Sequence, residues 1–87
     1  MTFRRSQLSR YGMRPYEDSS HVSGVSAYEI GDDFIVVRFK SGEVYVYDYS
    51  ITGRASVEKM KRLAVSGRGL STYISREVRE SYATKLT

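Results

Sequence analysis

Residues 34–40, FIVVRFK, and residues 43–49, EVYVYDY, are two β-type runs parted only by Ser41-Gly42, and this pair restricts the fold more than any other feature. Branched and aromatic side chains favour a pleated, half-buried backbone. A two-residue loop ending in glycine joins such runs as a hairpin, because its turn needs positive φ. Taking Ser41-Gly42 as the whole loop sets Lys40 opposite Glu43 and Phe39 opposite Val44. Arg38 then faces Tyr45, Val37 faces Val46, Val36 faces Tyr47 and Phe34 faces Tyr49. Opposed residues project from one side of a sheet. This register predicts one face of Ile35, Val37, Phe39, Val44 and Val46, and a second of Phe34, Val36, Arg38, Tyr45, Tyr47 and Tyr49.

A third strand-like run, residues 22–30, precedes the pair, with Gly31-Asp32-Asp33 as the turn between. Beyond Gly53 the apolar period lengthens. Val57, Met60, Leu63 and Ala64 form a helical stripe, with Ser56 as N-cap, Glu58 in the first turn and Gly67 as a left-handed stop. A second helix is expected over residues 71–82, where Leu70, Ile74, Val78 and Tyr82 continue one line, and residues 83–87 are expected to fray. Short amphipathic helices need an apolar wall. The expected fold is therefore α+β: a three-stranded antiparallel β-meander with two C-terminal helices packed on its aliphatic face, leaving the tyrosine face open. Residues 1–20 read as a basic, poorly ordered arm, solvated or tracking a phosphate backbone, and residues 21–87 as the folded domain.

At 87 residues the chain supports one domain, which buries only about 60% of its unfolded surface. Absence of cysteine excludes disulfides and thiolate catalysis and fits a reducing, cytoplasmic setting. No long run is free of charge, so no membrane span is expected; residues 1–14 lack the apolar stretch of a secretory signal. The net charge of +4, carried mainly by arginine, suits a polyanionic partner.

The start Ser19-Ser20-His21-Val22, the run IVVRFKSGEVYVY with Tyr45-Val46-Tyr47, the stretch GRGLSTYI, and Val78-Arg79 followed by Tyr82 together resemble the KTSC domain. That family is a small module named for its occurrence at the C-terminus of some lysyl-tRNA synthetases, and it also occurs alone in bacteria and phages. The resemblance covers residues 19–82 and implies a β-β-β-α-α domain with RNA binding as its suggested activity.

Aromatic rings interleaved with arginine on a sheet form a stacking platform for unpaired bases. Arg38, Tyr45, Tyr47 and Tyr49 are the candidates, with Arg54, Lys59, Lys61, Arg62 and Arg68 as a basic track. Gly67, Arg68, Gly69 and Ser71 would form a phosphate seat at the start of the second helix. Alternatively, tyrosines edge a core or a self-association face, and the two glycines serve only to turn the chain. His21 stands alone, and Asp32 and Asp33 suit a turn better than a metal site. No nucleophile–base pair is evident, so neither catalysis nor a cofactor is expected. The expectation is a non-enzymatic module for RNA or single-stranded nucleic acid. Its alternatives are a protein-interaction or self-assembling module, such as a phage accessory or inhibitor, and a protein that sequesters a small nucleotide at Arg68.

Overall fold

The computed structural model describes residues 13–16 and 24–86. Its sheet has five antiparallel strands in chain order: β1 (Arg14–Pro15), β2 (Val25–Ile30), β3 (Phe34–Phe39), β4 (Val44–Asp48) and β5 (Thr84–Lys85). Between β4 and β5 come α1 (Arg54–Ser66) and α2 (Leu70–Tyr73), and α2 runs directly into a π-helical turn at Ile74–Val78. The α+β class and the helices on one face stand as expected, with two short strands added at the edges. Pro15 suits such an edge, since it lacks the N–H a central strand needs.

Pairing within the hairpin differs from the expected register by one residue. Arg38 lies opposite Val44, Val37 opposite Tyr45, Val36 opposite Val46, and Ile35 opposite Tyr47. The loop is three residues long, not two. Gly42 N–H donates to Phe39 C=O at 2.9 Å, and Phe39 N–H donates to Glu43 C=O at 2.8 Å. Gly42 holds φ +100°, so Lys40 and Ser41 turn the chain and glycine completes it. One residue of slip exchanges the faces. Tyr45 and Tyr47 thus join Ile35, Val37 and Phe39 on the helix side, whereas Arg38, Val44 and Val46 take the other. The open tyrosine platform is overturned.

The main core contains Tyr16, Val25, Tyr28, Ile35, Val37 and Tyr47 from the sheet side, packed on Val57, Met60, Ala64, Leu70, Ile74 and Val78. Of the helical stripes read from the sequence, Val57, Met60, Ala64, Leu70, Ile74 and Val78 are buried and Leu63 is half-buried at the margin, whereas Tyr82 lies beyond the helix. A smaller cluster of Val36, Val44 and Val46 lies on the far face, with Met13, Phe34 and Leu86 against it.

The N-cap of α1 lies three residues before the expected one. Gly53, not Ser56, is its N-cap and makes no side-chain bond, while Gly67 ends the helix left-handed at φ 73°, as expected. The second helix is shorter than expected, because Arg79 N–H closes on Ile74 C=O and the chain leaves the helix there. Residues 83–86 do not fray. Ala83 and Leu86 donate N–H bonds to the Val46 and Val44 carbonyls of β4. Of the basic arm, residues 13–16 are ordered: β1 pairs with Tyr28 and Ala27, and Tyr16 is buried. The remainder of that arm, and His21 with the rest of the Ser19–Val22 motif, lies outside the described residues.

Candidate functional site

β3, β4, the π-helical turn and the segment entering β5 meet around an open cleft of about 670 Å³. That size is suited to a small organic ligand or one nucleotide unit. Aromatic rings make its floor. Tyr45 and Tyr82 are in contact at 4.7 Å between centroids, Phe39 meets Tyr45 edge-on at 5.7 Å, and Tyr47 lies beneath at 6.4 Å from Tyr45. Phe39, Tyr45 and Tyr82 are half-buried, whereas Tyr47 is 1% exposed. Burial, followed by the neighbouring Tyr45 and Tyr82 hydroxyls, pushes the Tyr47 hydroxyl above the ordinary tyrosine range.

The rim carries exposed charge from two directions: Lys40 and Glu43 at the hairpin turn, and Arg79 and Glu80 from the end of the π-helical turn. Lys85 on β5 adds a further cation, 5.7 Å from the Tyr45 ring centroid and 3.2 Å from the Glu43 carboxylate. That carboxylate raises the lysine's affinity for its proton. The π-helical turn matters to this geometry. Its i→i+5 closure adds one residue to the turn, and such insertions re-aim the side chains that follow them.

The residues proposed from the sequence do not converge on one place. Tyr45 and Tyr47 belong to the cleft, but Tyr47 is sealed under Tyr45 and Tyr82. Arg38 is exposed on the opposite sheet face. Tyr49 lies at the other end of β4, where its hydroxyl donates to Glu58 Oε2 at 2.5 Å. Lys61 Nζ bonds the same carboxylate at 2.8 Å and the Asp32 carbonyl at 2.8 Å. Arg54 and Lys61 both stand over the Tyr49 ring, at 5.6 and 5.5 Å. These four side chains form a clasp between α1 and the sheet, and Arg62 is exposed on the same helix.

At the interhelical link, two backbone donors of the expected phosphate seat, Gly67 and Arg68, are already engaged. Gly67 and Arg68 donate to the Leu63 carbonyl, and Leu70 N–H donates to the buried Tyr16 hydroxyl at 3.3 Å. Gly69 caps α2 in the left-handed region, and Ser71 makes no capping bond. The glycines are accounted for by chain direction, while the Arg68 side chain is exposed.

Phe39, Lys40, Glu43, Arg79, Glu80 and Tyr82 are cleft residues that sequence reasoning missed, and so is Lys85 beside them. Reading residues 71–82 as one helix placed Tyr82 on a core stripe, which concealed its return to the sheet.

Among the described residues, no cluster of His, Cys, Asp or Glu is arranged to hold a metal, and no helix is long and apolar enough to cross a membrane. Comparison of the chain with protein-family models, curated proteins and solved structures yields no match.

Proposed function

We propose that the chain is a non-enzymatic binding module for RNA or single-stranded nucleic acid, and that the ligand's bases enter the tyrosine cleft rather than an open sheet face. The observation that carries this reading is the contact pair Tyr45–Tyr82, which offers half-buried aromatic surface to an open cleft with Lys40, Arg79 and Lys85 around it. Unpaired bases stack on such rings at about 1–3 kcal/mol each, and cations at the rim hold the phosphates between them. The excess of Lys and Arg and the resemblance to the KTSC domain point the same way. A cysteine-free chain suits the reducing cytoplasm, where such a ligand is found.

Tyrosine fluorescence tests the proposal directly, because the chain has eight tyrosines and no tryptophan. A short single strand is expected to quench it at low salt and to lose affinity as salt rises, through counterion release. Tyr82→Ala is expected to weaken binding by about 5- to 150-fold, the equivalent of one stacked base. Absence of quenching at low salt, together with self-association that salt does not weaken, would end this reading in favour of an interaction module.

A further inference from the structure

The cleft carries a chemical group that a polyanion site has no use for along its backbone track. Glu80 is an exposed carboxylate on the wall, two residues before Tyr82, and it makes no ion pair or hydrogen bond among the described residues. Glu43, across the cleft, differs in having its Oε2 bonded to Lys85 at 3.2 Å. A carboxylate close to phosphates repels them. In a nucleic-acid cleft it is tolerated where it faces a base edge that donates protons, and there it discriminates.

Building on the nucleic-acid reading above, we infer that Glu80 selects guanine among the bases stacked on Tyr45 and Tyr82. An ionised carboxylate only accepts hydrogen bonds, through two adjacent oxygens. The Watson–Crick edge of an unstacked base is free to be read in this way. Guanine presents two neighbouring donors there, N1–H and the N2 amino group, which match the two oxygens. Uracil flanks its single N3–H with carbonyl oxygens, and adenine and cytosine each set a bare ring nitrogen beside the amino group. All three place a lone pair against the carboxylate. Lys40 and Arg79, at the same rim, remain available for the flanking phosphates.

The test uses the whole chain and a heptauridylate, with its central base kept or replaced by guanine, adenine or hypoxanthine, followed by tyrosine fluorescence at low salt. The guanine strand is expected to bind about tenfold more tightly than the uracil and adenine strands, within the range of a good bidentate contact. Hypoxanthine, which keeps N1–H but lacks the amino group, is expected to fall between. Glu80→Ala should bring the guanine strand down to the level of the adenine strand. Quenching with equal affinities for all four strands, or a guanine preference that survives Glu80→Ala, overturns the inference and leaves the binding reading standing. No quenching by any strand removes both.

Discussion

Tyr47 has its ring sealed and its hydroxyl pushed above the ordinary value of 10.0, chiefly by burial. Below about pH 10 the side chain is neutral in folded and unfolded chains alike, so its burial contributes fully. Above that value the unfolded chain ionises while the folded one resists, and stability is lost as pH rises. Urea midpoints at pH 8 and pH 10.5 should therefore differ, and Tyr47→Phe should narrow the difference. Gly42 makes a second prediction at this scale. At φ +100° a side chain with a branched β-carbon is strained, so Gly42→Val should cost about 1–2 kcal/mol by chemical denaturation. These two residues also mark the limit of what their sequence conveyed. Glycine announced a turn, but two- and three-residue loops both end in glycine, and only the cross-strand partners distinguish them. Tyr47 went from open platform to core on that one residue.

α1 was the most legible element, because Val57, Met60 and Ala64 repeat at the helical period and all three are buried. Its clasp on the sheet was not legible, since Tyr49, Glu58 and Lys61 meet only after the hairpin register is set. Lys61 first, and then the Tyr49 hydroxyl, hold the Glu58 carboxyl below its ordinary value of 4.5. A lowered folded value means that the contribution is present above the unfolded pKa and is lost as acid carries the pH through the folded one. Glu58→Gln should therefore flatten the acid side of the stability profile between pH 6 and pH 3, monitored by thermal unfolding. The second helix was legible for as long as its stripe lasted. Leu70, Ile74 and Val78 are all buried, but the wider turn that ends it carries no signature in residue type. The two short strands escaped for a related reason: a pair of residues shows no period, and β1 and β5 exist because neighbouring strands offer them partners.

Across the whole molecule, strand order repeats chain order, so β1 to β4 are joined by local connections. Only β5 must return across the length of both helices to reach its neighbour, and it does so at a sheet edge through Ala83 and Leu86. Removing residues 82–87 should lower the melting temperature on the order of 10 °C, since it strips Tyr82 from Tyr45 and uncovers the Val44–Val46 cluster. Calorimetry of the shortened chain checks this.

That late-arriving strand has a bearing on timing. Amides at a peripheral two-residue strand open well before the central ladder does. Ala83 and Leu86 should exchange with deuterium sooner than Ile35 and Val37. An opening that extends back to Tyr82 would part it from Tyr45, so the shape of the concavity depends on this edge staying closed. Whatever occupies the concavity will slow exchange at the carboxyl-terminal edge before it slows exchange anywhere else.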